Sequence, residues 1–288
     1  MSKESEPKRT FFSAPKELLR RFPLNYEFVG GENMDKTREL LGQGMTIVAI
    51  LDHKSFADLV SGSMITVKEG FDDLVKEANI ILKITYTTKF PSKQLLKNFK
   101  FRPVVPHTMP DYPNRDEINN EAIAWAQGLL GGSILVTTPE GTRVKKGSMM
   151  SARYKASEFW HGNGERWILP VAIEGTEKQW PRGAFGIFKY FGGGFRRKAR
   201  VIIGEPVPVA NLDRVAEVYA GGNDNEEFTR LKTDLAMLLI ANLHQDPKYK
   251  GDYYVSLQKD LDAREISQGL RNLDNIFPLN LSVDKRSS

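Results

Sequence analysis

The chain has 288 residues, and its 41 lysines and arginines outnumber its 36 aspartates and glutamates to give a formal net charge of +5. This balance favours anionic partners such as phosphate-bearing substrates, acidic carrier proteins, lipid head groups or nucleic acid, without choosing among them. The chain contains no cysteine, which excludes disulfides and thiolate-bound metals, so we expect no metal centre of the zinc type.

The N-terminal part of the chain begins polar and then becomes helical in pattern. Residues 1–12 are mostly polar, and we expect them to be frayed. The stretch APKELLRRF at 14–22 predicts a short basic amphipathic helix. A second helical pattern follows in MDKTRELLGQG at 34–44.

Five short apolar runs follow, each typical of a strand that is buried on both faces. They are MTIVAIL at 45–51, NIILKITY at 79–86, GSILVTT at 132–138, WILPVAI at 167–173 and ARVIIGEPV at 199–207. Helical patterns lie between them, at 67–78, 92–99, 115–130 and 148–160. Strands that alternate with helices predict an α/β fold, with a central, mostly parallel sheet flanked by helices.

The last third of the chain is predicted to be helical. Its best amphipathic helix is EEFTRLKTDLAMLLIANL at 226–243. We therefore predict helical N- and C-terminal extensions around one α/β domain at 13–255, whose motif-bearing core spans about 45–210. A helical tail is predicted for 256–288.

A histidine and an aspartate follow the first apolar run, in LDHKSFADLV at 51–60. If a strand ends near Asp52 and a helix starts near Ser55, the turn between them brings the imidazole of His53 over the helix N-terminus. There Asp58 would accept a hydrogen bond from one ring nitrogen and leave the other as a base. The same spacing also fits a capping box, with Ser55 as N-cap and Asp58 at the third helical position, which gives His53 no role.

A second polar motif, TTPEGTRVKKG at 137–147, follows the third apolar run. Ligands of open α/β sheets bind at the carboxyl ends of the strands. Pro139 and Gly141 favour a tight turn that exposes backbone N–H groups, and Arg143 adds a planar fork suited to phosphate or carboxylate. A plain surface turn with solvated charges is the alternative.

Together these motifs resemble those of the glycerolipid acyltransferases, a family with an H-x-x-x-x-D box and an E-G-T-R box. The resemblance lies in DHKSFAD at 52–58, PEGTR at 139–143, ILPVAIEGTE at 168–177 and RVIIGEPVPV at 200–209. It implies that His53 is the general base and that Asp58 orients it. It also implies that the acceptor's phosphate is bound by the second box and the KKG that follows, at Glu140, Gly141, Thr142, Arg143 and Lys146.

The sequence departs from that family at two places. Asp52 stands where the family usually has asparagine. The family's arginine-bearing block between the two boxes has no clear match, and Arg102 and Arg115 are its candidates. We favour Arg115 as a substrate-binding residue because it immediately precedes the helical pattern that leads to the second box; a solvated turn arginine is the alternative.

The resemblance implies an O-acyltransferase of phospholipid biosynthesis that needs no cofactor. Acyl-CoA or acyl-carrier protein would be the co-substrate, and glycerol 3-phosphate or a lysophospholipid such as lysophosphatidic acid the acceptor. The alternative is a non-catalytic protein that binds lipids or anionic ligands on the same scaffold. No G-x-S-x-G elbow, P-loop or dinucleotide fingerprint is present, which argues against a serine hydrolase, a nucleotidase and a Rossmann dehydrogenase.

Aromatic and basic residues are interleaved in WPRGAFGIFKYFGGGFRRKAR at 180–200. Such a stretch suits an anionic membrane surface, single-stranded nucleic acid, or packing of its aromatic residues on the domain. For a family that acts on acyl chains we expect the membrane and not nucleic acid, with contacts from Phe195, Arg196, Arg197 and Lys198. No apolar stretch approaches the roughly 18 residues of a membrane span, so we expect a cytoplasmic protein, soluble or peripheral on the membrane.

Three further histidines are given lesser roles by the sequence. His107 lies between prolines and is predicted to be a loop residue. His161 and His244 follow helical patterns and are predicted to be surface or helix C-terminal residues. Trp125 and Trp160 lie on apolar helix faces and are predicted to be in the core.

Overall fold

The computed structural model describes residues 24–55, 57–84, 100–106, 109–141, 148–179, 192–223 and 225–268. Within these ranges, eight strands form one mixed, mostly parallel sheet with helices packed on it. The predicted α/β fold class is thereby confirmed. The predicted helices at 14–22 and 92–99, and the frayed segment at 1–12, lie outside the described residues.

The strands run in the spatial order β1-β7-β6-β2-β5-β3-β4, and β8 pairs with β6. Their bounds are β1 Tyr26–Val29, β2 Thr46–Leu51, β3 Ala78–Lys83, β4 Lys100–Val104, β5 Ile134–Thr137, β6 Arg166–Glu174, β7 Ala199–Ile203 and β8 Val207–Pro208. β2 is central and lies parallel to both β5 and β6. β7 and β8 run antiparallel to β6.

Helices cover both faces of the sheet. Their bounds are α1 Gly31–Gly42, α2 Ala57–Lys68, α3 Asp72–Lys76, α4 Arg115–Gln127, α5 Thr176–Gln179, α6 Val209–Ala220, α7 Glu226–Leu243, α8 Pro247–Lys250 and α9 Asp252–Gln268, with 3₁₀ turns at Tyr154–Trp160 and Gly194–Arg196. One face of the sheet packs on α4, α6, α7 and α9, and the other on α1, α2 and α3.

The central strand β2 shows why its sequence is a continuous apolar run. Val48 and Ile50 point into one core cluster, and Ile47 and Ala49 into the other. Successive residues of a strand face opposite sides, so a strand with helices on both faces needs apolar residues at every position. Because β2, β5 and β6 are parallel, their carboxyl ends meet at one edge of the sheet, where His53, Pro139 and Glu174 follow.

Several predicted elements differ from those observed. The run at 199–207 is two strands, because the chain breaks at Gly204, whose N–H donates to the carbonyl of Pro170 at 2.9 Å. The helical pattern at 148–160 becomes a 3₁₀ turn only from Tyr154 onward. The pattern at 67–78 is divided between the end of α2 and the short helix α3.

Elements that the sequence did not predict are the edge strands β1 and β4 and the short helix α5. The helix α6 lies in the last third of the chain, which is predicted to be helical. The C-terminal helix α9 starts before the predicted tail at 256–288, and residues beyond 268 lie outside the described part. Trp160 is fully buried as predicted, whereas Trp125 is only partly buried. Of the helices in the described ranges, none is both long and apolar enough to cross a bilayer.

Candidate functional site

His53 lies in the short loop between the end of β2 and the start of α2, and its ring contacts Asp58. The distance from His53 Nδ1 to Asp58 Oδ2 is 3.0 Å. Because a carboxylate only accepts hydrogen bonds, Nδ1 carries the proton and Nε2 keeps a lone pair. The side chain of His53 is 16% exposed and that of Asp58 is 4% exposed, so the histidine alone of this pair is open to a ligand.

The carboxylate of Asp58 is fixed from three further directions. Its Oδ2 accepts hydrogen bonds from the backbone N–H groups of Lys54 and Ser55, each at 2.7 Å. Its Oδ1 accepts from the hydroxyl of Thr176, the first residue of α5. The Ser55 bond is one half of a capping box, so Asp58 both caps the helix and orients the imidazole.

Glu140 joins this loop to the turn that follows β5. Its Oε2 accepts from the N–H of His53 and its Oε1 from the N–H of Met150, each at 2.7 Å. The side chain is buried, and this burial raises the pKa of Glu140 to about 7, against the lowering effect of the two backbone bonds. Glu140 therefore holds two loops together, with both oxygens occupied.

The rest of the second motif is described only as far as Gly141. Gly141 has φ +66°, which favours glycine, and its N–H donates to the carbonyl of Thr138 at 2.9 Å, closing the predicted tight turn. Gly141 and Pro139 line the same cavity as His53. Thr142, Arg143 and Lys146 lie outside the described residues, and their predicted contacts with phosphate stay predictions.

A cavity of about 1070 Å³ opens beside His53 and Asp58. Part of its wall is apolar, from Leu51, Ile80, Leu82, Val104, Ile123 and Phe159. The rest of the wall carries charged side chains of both signs: the basic Lys83, Arg115, Arg153, Lys155 and Arg230, and the acidic Asp58, Asp116, Glu158, Glu226 and Asp234. A cavity whose lining combines apolar side chains with basic ones can receive a ligand that has both an apolar and an anionic part.

Arg115, the first residue of α4, is one of these cationic side chains. Its Nε is buried and has no hydrogen-bond partner among the described residues. The other candidate, Arg102, is exposed, is not part of the cavity wall, and lies over the ring of Trp125 at 5.4 Å. The structure thus brings Arg115, and not Arg102, to the cavity that His53 lines.

Behind the His53 loop, four charged or titratable side chains form a buried cluster that the sequence did not predict. The cluster consists of Asp52, Lys54, Glu174 and His244. His244 lies 2.9 Å from Glu174 through Nδ1 and 3.0 Å from Asp52 through Nε2. Lys54 forms an ion pair with Asp52. Of the two alternatives predicted for His244, the helix C-terminal position is confirmed, since His244 is the C-cap of α7, and the surface position is wrong, because α7 ends against the sheet and buries the ring there.

Burial dominates the titration of this cluster. It lowers the pKa of His244 to about 4 despite the hydrogen bond with Glu174, and the ammonium of Lys54 acts in the same direction. Burial also lowers the pKa of Lys54 to about 8, while the surrounding carboxylates oppose this shift. Burial thus disfavours the charged forms of both His244 and Lys54, whereas the carboxylates that contact them favour those forms. The one sequence signal for this cluster was Asp52, an acid at the end of an apolar strand.

The predicted membrane-contact residues lie at the same edge of the sheet as His53. They follow Gly193 and precede β7, whose Arg200 pairs with Glu174 at the carboxyl end of β6. Arg196 and Arg197 are exposed, Phe195 is half-buried, and Lys198 pairs with Glu27 at 2.8 Å. Gln179 of α5 donates to the carbonyl of Arg197 at 2.7 Å, so α5 contacts both Asp58 and this loop.

No arrangement suited to a metal ion, with three or more histidine, aspartate or glutamate side chains, occurs in the described part of the chain. Comparison with the models of known protein families gives no match to this chain. Comparison with curated proteins likewise gives no match.

Proposed function

We propose that the protein is an O-acyltransferase that moves a fatty acyl group from acyl-CoA or acyl-carrier protein to a phosphate-bearing acceptor. The acceptor would be glycerol 3-phosphate or a lysophospholipid such as lysophosphatidic acid. One observation carries this proposal: the imidazole of His53, held by Asp58 at 3.0 Å, lines a cavity that also contains Arg115. The motif resemblance supplies the reaction class, and the geometry is what that class requires.

In the proposed reaction His53 acts as a general base. Nε2 takes the proton from the acceptor hydroxyl as its oxygen attacks the carbonyl carbon of the thioester. The carbon–sulfur bond then breaks, the thiol leaves with the proton that the imidazolium returns, and an ester remains. Asp58 keeps the ring in the Nδ1–H tautomer and stabilises the imidazolium while it exists.

The cavity lining includes apolar side chains that suit an acyl chain and basic side chains that suit a phosphate, beside acidic ones. Arg115 lines the cavity, and a guanidinium suits a phosphate oxygen. The apolar part of the lining favours a lipid-like acceptor or donor over a fully polar one.

The test is a thiol-release assay that pairs acyl-CoA or acyl-carrier protein donors with glycerol 3-phosphate and with lysophosphatidic acid. We expect His53→Ala to lower turnover by roughly 10²- to 10⁴-fold with the fold retained, because that is the usual contribution of a general base. His161→Gln is the matched control. His161 is exposed and lies outside the cavity wall, so its loss should leave turnover unchanged.

Two results would contradict the proposal. One is the absence of thiol release with every donor and acceptor pair. The other is release that does not depend on His53. Binding of lysophosphatidic acid without His53-dependent release would indicate the alternative, a non-catalytic protein that binds anionic lipids on this scaffold.

A further inference from the structure

Lys54 follows the candidate base directly, yet its side chain is directed away from the cavity. It does not belong to the cavity wall, and the residue is only 2% exposed. A lysine with its whole side chain buried is rare, because the ammonium loses its hydration shell. Its position therefore requires compensating contacts, and these define what it does.

The contacts of Lys54 tie it to both halves of the site. Its backbone N–H donates to Asp58 Oδ2 at 2.7 Å, the same oxygen that contacts His53. Its Nζ pairs with Asp52, lies 3.4 Å from His244 Nε2, and lies 5.2 Å from the centre of the Tyr249 ring. Asp52 is itself fixed, since its Oδ1 accepts from the N–H of Ile173 at 3.0 Å.

Negative charge surrounds this ammonium on every side. Five carboxyl groups from five parts of the fold lie around it. They are Asp52 in its own loop, Asp58 in α2, Glu140 in the turn after β5, Glu174 at the end of β6 and Glu177 in α5. The other titratable groups facing the cluster are His244, Tyr249 and Lys250, from the end of α7 and from α8. Lys54 is the lysine in direct contact with the cluster, through its ion pair with Asp52.

We propose that Lys54 is a positioning residue whose buried ammonium, balanced by Asp52, sets the electrostatic field in which the imidazole of His53 takes up its proton. This inference rests on the proposed function for its catalytic meaning. The effect of Lys54 on the protonation of His53 can be measured in the folded protein whether or not acyl transfer is the reaction.

An electrostatic role and a packing role make different predictions for two single variants. Lys54→Met keeps the length of the side chain and removes a positive charge, which makes protonation of nearby groups easier. Asp52→Asn keeps the shape of the side chain and removes a negative charge, which makes protonation of nearby groups harder. The two variants should therefore shift the titration of His53 in opposite directions, whereas damage to packing would not give shifts of opposite sign.

The experiment is a histidine NMR titration of the full chain, which has four histidines, with the His53 signal assigned from its absence in His53→Gln. We expect Lys54→Met to move the midpoint of the His53 titration up by about one pH unit, and Asp52→Asn to move it down by a similar amount. The double variant should return the midpoint close to that of the wild type. Lys36→Met is the control, because Lys36 lies on α1, is partly exposed and pairs with Glu205.

A parallel measurement of thiol release connects this result to catalysis. The acid limb of the pH profile of kcat/KM should move with the NMR midpoint in each variant. Because the NMR midpoint needs no turnover, failure of the proposed function leaves this readout intact. The inference is overturned if either single variant leaves the midpoint in place, if both shift it the same way, or if the double variant keeps the shift of one of them.

Loss of folding does not block the test. Lys54→Met leaves Asp52 buried without its cation, and removal of one partner of a buried ion pair is strongly destabilising. Asp52→Asn and the double variant do not leave a buried carboxylate at position 52 unpaired. The inference is supported if the double variant is more stable than Lys54→Met and its His53 titration midpoint lies between that of Asp52→Asn and that of the wild type. It is refuted if the double variant has the same His53 midpoint as Asp52→Asn.

Discussion

The carboxylate of Asp58 caps helix α2 and orients His53 at the same time. Both interpretations of the spacing in LDHKSFADLV hold, because Oδ2 accepts the N–H of Ser55 and lies 3.0 Å from Nδ1 of His53. A capping acid has two oxygens with several lone pairs, so binding backbone donors leaves room for an imidazole. Helix termination and ring orientation are therefore not alternatives at this position.

Asp58→Asn separates these two roles. The asparagine oxygen can still accept from the backbone, and its amide can donate to the hydroxyl oxygen of Thr176, so we expect the fold to persist. Without the charge, the imidazolium loses its partner, and thiol release should fall by about 10²- to 10⁴-fold. In a His53→Ala background the same change should have no further effect. Full activity of Asp58→Asn would limit Asp58 to capping.

Glu140→Gln tests the buried link between the two loops through its pH dependence. Since the pKa of Glu140 is about 7 in the folded protein and 4.5 in the unfolded chain, its contribution to stability is complete below pH 4.5 and is lost as the pH rises through 7. The free energy of unfolding of the wild type should therefore fall by up to about 3 kcal/mol relative to Glu140→Gln between pH 4.5 and 8. Urea unfolding of both proteins across this range measures the difference.

The opposite trend from His244 does not disturb this comparison. His244 has its pKa lowered, so protonation favours the unfolded chain and stability is lost as the pH falls below 6.5. That contribution is present in both proteins and cancels in the difference. A difference in stability that stays constant with pH would show that Glu140 titrates normally.

Single residues show where sequence reasoning succeeded and where it could not. His53 and Asp58 lie five positions apart, and the strand-to-helix turn that brings them together follows from local pattern alone. His244 lies 192 positions from its partner Asp52, and a buried ion cluster leaves no periodic signal in either segment. Only the sheet, which brings the end of α7 to the end of β2, makes that contact.

At the scale of elements, the strands with continuous apolar runs were predicted and the edge strands were not. β2, β5 and β6 lie inside the sheet and are apolar on both faces. β4 lies at the edge and contains Pro103, which an edge strand tolerates because it lacks one ladder partner. β1, at the other edge, is only half-buried along its length. Strand prediction from apolarity therefore finds the centre of a parallel sheet and misses its margins.

The helical pattern at 148–160 failed for a tertiary reason. Its first residues are extended because they pair with the C-terminal helices: Met149 donates to the carbonyl of Tyr249 at 2.9 Å, and Ala152 donates to the hydroxyl of Tyr254 at 3.1 Å. These contacts replace the bonds of a helix and leave the N–H of Met150 free for Glu140. The C-terminal helices thus shape the site without contributing a predicted site residue.

Gly251→Ala tests this contact between elements. Gly251 has φ 79° and ψ 140°, a region open in practice only to glycine, and a Cβ there would lie 2.4 Å from the carbonyl oxygen of Met149. We expect a loss of stability of about 3 kcal/mol and a reduced rate of thiol release, because the Met149–Ala152 segment must move. Thermal unfolding and the release assay measure both effects.

Gly221→Ala is the control for that change. Gly221 also has a positive φ, of 68°, but its Cβ would meet nothing within 4 Å. We expect Gly221→Ala to lower the free energy of unfolding by about 1–2 kcal/mol, through backbone strain alone, and to leave the rate of thiol release unchanged. Equal losses of stability in the two variants would mean that the close approach to Met149 is unimportant.

At the scale of the whole molecule, the direction of β7 places the basic loop that contains Arg196 and Arg197 at the carboxyl ends of β2 and β6. Because β7 runs antiparallel to β6, the loop that precedes it returns to the edge where His53 lies. Had β7 been parallel to β6, the same residues would have been at the far edge. The sequence identified the basic residues, but their side of the molecule depends on the direction of one strand, which composition does not encode.

Vesicle sedimentation tests the proposed contact with an anionic membrane. Arg196→Gln with Arg197→Gln removes two exposed charges and retains the Lys198 pair with Glu27. At about 1 kcal/mol per basic residue near an anionic surface, affinity for vesicles rich in anionic lipid should fall about 30-fold. Lys76→Gln with Lys100→Gln is the control, since these exposed lysines lie at the opposite edge of the sheet. Equal binding of both double variants would exclude the loop as the anchor.

Glu140 lies 87 positions from His53 in the chain, and the bridge that it makes also bears on how a ligand would bind. The amide of His53 and the amide of Met150 are already fixed by one buried carboxylate, so both loops are ordered as part of folding. A ligand that binds does not have to order these two loops, so the entropy cost of ordering them does not lower its affinity. Binding should accordingly be fast and leave the backbone of the His53 loop where it is.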